Sequence, residues 1–218
     1  MRTVTQTVRQ ILFESELPLE AMREGVLNFS AYAAQIHPKV EELTWKSVRI
    51  GTITVALTRI AKELATVDPI RPQVTIDDLK IKYPLVDISF EKTAVALEKL
   101  STIAGILDND AKKVFVTTEG MSEITIVASA KLAQTIQTHF GIPPKATFTD
   151  LVGVSVGFDP KYLAVANTLY ALISAVASKR INIIELISTH TELMFVIQQE
   201  DREKCVAALQ QHFSPSTS

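Results

Sequence analysis

The stretch Arg180-Ile-Asn-Ile-Ile-Glu-Leu-Ile-Ser-Thr-His-Thr-Glu-Leu-Met-Phe-Val-Ile197, followed by Asp201-Arg-Glu-Lys-Cys-Val-Ala-Ala-Leu209, decides the reading of this chain. Two β-rich runs, 183–187 and 192–197, flank a short polar turn and predict a pair of strands. The segment 201–213 then places Val206, Leu209 and Phe213 on one side, the spacing of a helix against a sheet. Just upstream, 148–158 reads as a strand. A helix over about 161–179 follows, with Tyr162, Val165, Ala166, Leu169, Leu172, Ile173 and Val176 on one face.

The same order appears once more further upstream. A strand at 78–83, a break at Pro84 and a strand at 85–90 precede a helix carrying Leu97, Leu100, Ile103, Ala104 and Leu107 up to a turn at Asp108-Asn-Asp110. Runs 113–117 and 122–128 around Glu119-Gly120 predict a hairpin. A helix over 131–140, with Leu132, Ile136 and Phe140 inward, stops at Gly141. The chain thus holds an internal repeat of about 65 residues, each unit in the β-α-β-β-α-β order of a ferredoxin-like α+β sandwich. The second unit ends on its helix and lacks a last strand. The segment 78–83 supplies that strand if the two units interlock.

Residues 1–67 carry helical periodicity instead. Pro18 and Pro38 suit first helical turns, Ser30 and Thr44 suit N-caps, and 51–64 is amphipathic through Ile53, Ala56, Leu57, Ile60, Ala61 and Leu64. Trp45 is expected to anchor the small core of this head. Two prolines in Asp68-Pro-Ile-Arg-Pro72 mark a boundary. The expected organisation is a helical, helix-turn-helix-like domain (1–67), a first α+β unit (73–148, with 78–83 donated to the second), a second unit (149–213) and a disordered tail (214–218).

Composition narrows the function classes. Lys and Arg number 22 against 24 Asp and Glu in 218 residues, so no global field attracts nucleic acid or anionic lipid. Only 7 glycines occur, about half the usual share of roughly 7%, which leaves little room for phosphate-cradling loops. Neither G-x-G-x-x-G nor G-x-x-x-x-G-K-[ST] is present. The single Cys205 excludes an internal disulfide and fits a reducing compartment. No apolar run reaches the length of a membrane span and the first residues make no signal peptide, so a cytoplasmic location is expected.

The quoted stretch resembles the "INI…IST…ISVVV…DxxKAVxAL" segment of ACT domains, small-molecule regulatory modules, and most closely the interlocked ACT pair at the C-terminus of aspartokinases. Gly120-Met-Ser-Glu-Ile-Thr-Ile126 resembles the hairpin strand of the first module. The resemblance covers about 75–213 and implies an amino acid held between the loop Asp159-Pro-Lys-Tyr162 of one unit and the strand start Asn182-Ile-Ile184 of a neighbour, within a homodimer. No segment resembles the kinase domain, so it implies regulation without phosphoryl transfer and without a cofactor. The family loop runs Asp-x-Pro-Gly, its amides meeting the ligand carboxylate. Lys161 stands here where glycine is usual, and its side chain crowds such a site. In the first unit the equivalent Ser89–Thr93 lacks both Pro and Gly, so that unit is expected to be structural. The alternative is a structural or interaction protein that docks on a separate aspartokinase.

Gly25-Val-Leu-Asn-Phe-Ser-Ala-Tyr32 and Ala56-Leu-Thr-Arg-Ile-Ala61 resemble helix-turn-helix-like segments found ahead of ACT pairs. That implies DNA or partner contact through Lys46, Arg49, Thr52, Arg59 and Lys62, with 51–64 as recognition helix and a transcriptional role. The balance within 1–70, eight basic against eight acidic residues, argues for a local patch at most. Gly153-Val-Ser-Val-Gly157 satisfies G-x-S-x-G, with Asp201 and His212 following in hydrolase order. A nucleophile elbow needs a helix to begin at the serine, whereas Ser155 lies inside an alternating strand. The scattered His37, His139, His190 and His212 make no metal motif. No catalytic residue and no metal site is expected.

Overall fold

The computed structural model describes residues 3–64, 71–105 and 113–213. The expected turn at 108–110, part of the 68–72 boundary and the tail 214–218 lie outside the described residues. The chain divides into two compact units, 1–72 and 73–218. No helix among the described residues is long and apolar enough to cross a membrane.

The described residues of the first unit form four helices, α1 (Val4–Phe13), α2 (Glu16–Arg23), α3 (Phe29–Thr44) and α4 (Ile50–Leu64). Thr3 and Gln6 close a capping box on α1, and Asn28 Oδ1 caps α3 by accepting the Ala31 N–H at 3.0 Å. The expected caps therefore shift: Asn28 takes the place given to Ser30, while Thr44 ends α3 and its hydroxyl donates to the Val40 carbonyl at 2.7 Å. Pro38 sits inside α3 rather than in its first turn. Val8, Leu12, Ala33, Val40, Ile53, Leu57 and Ile60 form the buried core.

Trp45 does not anchor that core. It caps α3 in the left-handed region (φ 55) with 88% of its surface exposed, and Val48 takes the inward position instead. Two side chains of α3 hold the Val48 backbone in place. His37 Nε2 donates to the Val48 carbonyl at 2.6 Å, and Glu41 Oε1 accepts the Val48 N–H at 2.8 Å. The turn is thereby fixed with both main-chain groups of its buried residue satisfied.

The second unit is α+β: β1 (Ile76–Glu91), α5 (Ala94–Ile103), β2 (Phe115–Glu119), β3 (Glu123–Ser129), α6 (Ala133–Phe140), β4 (Ala146–Phe158), α7 (Thr168–Ala177), β5 (Ile183–Ser188), β6 (Glu192–Gln198) and α8 (Arg202–His212). The strands make one antiparallel sheet in the order β2-β3-β1-β4-β6-β5. Pro84 does not end a strand, as expected, but lies inside β1. It has no N–H to give a ladder, and the register with β4 shifts there, between Lys82 and Leu85.

The two halves of β1 serve different repeats. Leu85–Glu91 pairs with β3 and with 146–151 of β4, whereas 76–82 pairs with 153–158 of β4, the partner of β6. The early strand therefore completes the later repeat, and the two ferredoxin-like units interlock. Val86, Ile88, Phe90, Ile124, Ile126 and Phe140 fill one layer against α5 and α6. Val152, Val154, Val156, Leu172, Val176, Phe195 and Leu209 fill the other against α7 and α8. On the helix-free face a smaller cluster, Leu85, Val127, Leu151 and Val196, joins residues of both repeats.

The helix expected over about 161–179 is broken. A 3-10 turn (Pro160–Ala164) precedes α7, Asn167 adopts the left-handed region (φ 66), and Thr168 Oγ1 donates to the carbonyls of Tyr162 and Val165 at 3.0 and 2.9 Å. Val165 and Leu169 are consequently exposed. Ala171, Leu172, Ala175 and Val176 carry the buried face.

Candidate functional site

The loop after β4 is shaped by Asp159. Its Oδ1 accepts the Lys161 backbone N–H at 2.8 Å, and its Oδ2 lies 3.4 Å from Lys161 Nζ. The Lys161 amide and then its ammonium hold the Asp159 carboxyl below its usual range. The amide that a backbone-cradled anion needs is thus already bonded within the loop. Lys161 Nζ also stands 5.0 Å over the Tyr162 ring. Tyr162 turns inward, and its hydroxyl accepts the Thr75 N–H.

Beside this loop lies a cleft of about 420 Å³. Its apolar walls are Phe158, Tyr162, Val165 and Leu169, and its polar groups come from Asn167, Thr168, Ser188, Thr189 and His190. Apolar walls with a few polar groups are the composition of a small-molecule pocket. Phe158 N–H donates to the Thr191 carbonyl at 3.0 Å, which fixes the end of β4 against the β5–β6 hairpin tip.

Within one chain the structure does not bring Asn182, Ile183 and Ile184 to that loop. They begin β5, whereas the cleft sits at its other end, six strand residues or roughly 20 Å away. Asn182 is exposed, and Ile183 and Ile184 are half-buried. The cleft residues Asn167, Thr168 and Ser188–His190 were missed by sequence reasoning. Strand direction carries the signal: β5 and β4 both run antiparallel to β6, so the end of β5 lies on the same side as the end of β4.

The first repeat treats the same position differently. Lys92 N–H donates to the Ser122 carbonyl at 2.9 Å, the counterpart of the Phe158–Thr191 bond. Its Nζ then reaches the Gly120 carbonyl at 3.0 Å and Glu119 at 2.7 Å. One long side chain bridges loop and hairpin tip where the second repeat has its cleft.

Ser155 lies in mid-strand, almost fully buried, and donates to Glu192 Oε1 at 2.6 Å. The flanking glycines have packing reasons. A Cβ on Gly153 would come within 2.8 Å of Met194 Sδ, and one on Gly157 within 2.5 Å of Asp78 Oδ1. His139 Nε2 donates to the Lys99 carbonyl at 2.8 Å, and no group of three or more His, Cys, Asp or Glu among the described residues is placed to hold a metal. In the helical unit Lys46, Arg49, Thr52, Arg59 and Lys62 are all exposed.

No protein-family model matches the chain, and a search of curated proteins found no match. Solved structures do. Aspartate kinase from Clostridium acetobutylicum aligns at 16% identity and a TM-score of 0.54, over 64% of this chain and 35% of that one. The chain therefore spans about a third of that enzyme. The regulatory subunit of aspartate kinase from Thermus thermophilus aligns at 14% identity and a TM-score of 0.52, over 66% of this chain and 100% of that one. The corresponding subunit from Thermus flavus aligns at 15% and 0.50, over 65% and 99%. These likenesses show the fold, which the chain shares with those aspartate kinase structures.

Proposed function

We propose that this is a non-catalytic, amino-acid-responsive regulatory protein whose ACT pair takes its ligand at the Asp159–Tyr162 loop. The observation that carries this reading is the cleft between that loop and Ser188–His190, set against the Lys92 side chain that spans the same position in the first repeat. Asn167, Thr168 and Thr189 supply polar groups for an ammonium or carboxylate, and Tyr162 and Leu169 supply the apolar wall.

A homodimer completes the site. β5 is an edge of the sheet, and Leu163, Val165, Leu169 and Leu186 are exposed near it. Antiparallel pairing of two β5 edges about a twofold axis sets Asn182–Ile184 of one copy beside Ser188–His190 of the other. The predicted contact between the Asp159–Tyr162 loop and Asn182 is then made across the two copies. Under this reading 1–67 is the output module and the two interlocked units are the sensor.

The test is a thermal-shift series over the twenty amino acids, with sedimentation in parallel. One or a few should raise the melting temperature by several degrees; no rise with any of them sinks the sensor reading. A second reading is a separate regulatory partner of an aspartokinase with a degenerate ligand site. The Asp159 carboxylate on the Lys161 amide favours it. Lys161→Gly distinguishes the two, since binding that appears only in the variant marks a degenerate site.

A further inference from the structure

The helical unit presents a second candidate surface, built from its own side chains alone and independent of the ligand reading of the ACT pair. The neutral total of this unit conceals a segregation of charge. Arg9 pairs with Glu63, Arg23 with Glu20, Lys39 with Glu14 and Arg71 with Glu16, and Glu41 is engaged by Val48 and His37. Lys46, Arg49, Arg59 and Lys62 make no side-chain ion pair or hydrogen bond among the described residues. Most of the acids are engaged elsewhere, and the uncompensated cations gather on one side.

That side is the α3–α4 turn and the outer face of α4. Gly51, Thr52, Val55, Thr58, Arg59 and Lys62 recur there at helical spacing, and all are exposed. At the start of the same turn stands Trp45, 88% exposed, its N–H donating to the Glu41 carbonyl at 2.8 Å. The face is also open at Gly51, where a Cβ would meet nothing within 4 Å.

We propose that this face binds single-stranded nucleic acid, with phosphates on Lys46, Arg49, Arg59 and Lys62 and an unpaired base stacked on Trp45. Four unpaired cations select a polyanion. An exposed indole selects, among polyanions, one with flat π-faces to offer, and those faces are free only where bases are not already stacked in a duplex. From Arg49 to Lys62 the face is about 20 Å long, enough for several nucleotides.

Trp45 is the only tryptophan, so its emission reads the contact without a label. The full chain is titrated with a mixed-sequence single strand of about 20 nucleotides, and the expected result is quenched emission with an affinity that falls as salt rises. The log–log slope should be about −2 to −3, the value for three or four phosphate contacts on a single strand. Arg49→Ala with Arg59→Ala should weaken binding about ten-fold or more and flatten the slope, while Trp45→Ala should weaken it about ten-fold and leave the slope unchanged. Both sets of side chains are exposed, and circular dichroism checks that the helices persist. Absence of quenching and of salt-dependent binding overturns the proposal, as does wild-type affinity in the double Arg variant. Polyglutamate binding as tightly as the oligonucleotide would assign the face to an acidic protein, and a duplex binding as tightly without quenching would remove the single-strand assignment.

Discussion

The Tyr162 hydroxyl accepts the Thr75 backbone N–H at 3.0 Å and lies 2.9 Å from the Thr75 hydroxyl. One side chain thus ties the loop of the candidate ligand site to the segment that enters β1, the strand shared by both repeats. Tyr162→Phe keeps the ring in the core and removes only the oxygen. It leaves a part-buried N–H without its partner, at a cost of about 1–3 kcal/mol. Urea unfolding should show a lower midpoint with an unchanged m-value. Because Tyr162 also walls the cleft, any amino-acid affinity should fall in the same variant. A stability equal to wild type would mean that the tie between loop and strand carries no energy.

Asp87 lies on the helix-free face of β1, 2% exposed, with Oδ1 lacking a hydrogen-bond partner. Burial first, and the charge of Glu185 second, push its carboxyl from 3.8 up to about 6. A raised carboxyl pKa means that the native state holds the proton more tightly than the unfolded chain does. Its contribution is therefore fully present below about pH 4, declines as pH rises through 6, and is flat above. The difference amounts to at most roughly 3 kcal/mol. Asp87→Asn should be more stable than wild type at pH 7.5, and its advantage should vanish near pH 4. Glu185→Gln should give a smaller change of the same sign. An advantage independent of pH would assign the effect to packing rather than to ionisation.

Much of this fold is legible in the sequence because alternation and helical spacing survive within each short element. The hairpin of 183–197 and the inward Leu132, Ile136 and Phe140 follow from period alone. What period cannot supply is direction and tertiary override. The helix that ought to start near Lys161 breaks because the Thr168 hydroxyl bonds two carbonyls of the preceding turn, a local competition invisible to an apolar count. Trp45 reads as core by its neighbours, yet the core space beside it is taken by Val48, pinned through its backbone by His37 and Glu41. Asn182 and Thr189 both lie in the stretch that resembles ACT domains. Only the strand order reveals that Thr189 lines the intramolecular cleft while Asn182 stands at the opposite end of β5.

The Gly153-Val-Ser-Val-Gly157 run has a packing explanation that can be broken. Gly153 sits where Leu85 of β1 and Met194 of β6 meet over β4, and an added Cβ would stand 3.0 Å from Leu85 Cδ1 and 2.8 Å from Met194 Sδ. Gly153→Ala should cost about 1–3 kcal/mol through overpacking. Adding Met194→Ala should return part of that loss, giving a non-additive double-mutant cycle. Ser155, bonded to Glu192 inside the strand, should not react with a fluorophosphonate. Stoichiometric labelling at Ser155 would restore the hydrolase reading that the strand geometry disfavours.

Cys205 offers a direct reporter of the unit that holds the candidate ligand site. It lies on α8 with no exposed surface, and burial, with the nearby Asp201 charge second, pushes its thiol up to about 12. The thiolate is the reactive species, so a native Cys205 should be inert to a disulfide reagent at pH 8 and should react only when the α7–α8 layer opens. It is the one cysteine in the chain, which makes the labelling rate a single-site measure of that opening. A ligand that binds only the closed state lowers the open population by the factor 1 + [L]/Kd. At a concentration of about 100 times its Kd, labelling should slow about 100-fold, equivalent to about 2.7 kcal/mol. An oligonucleotide on the helical unit should leave the rate unchanged unless the two units are energetically coupled. If the amino acid that raises the melting temperature leaves Cys205 labelling as fast as before, its site lies outside the layer formed by β4, α7 and α8.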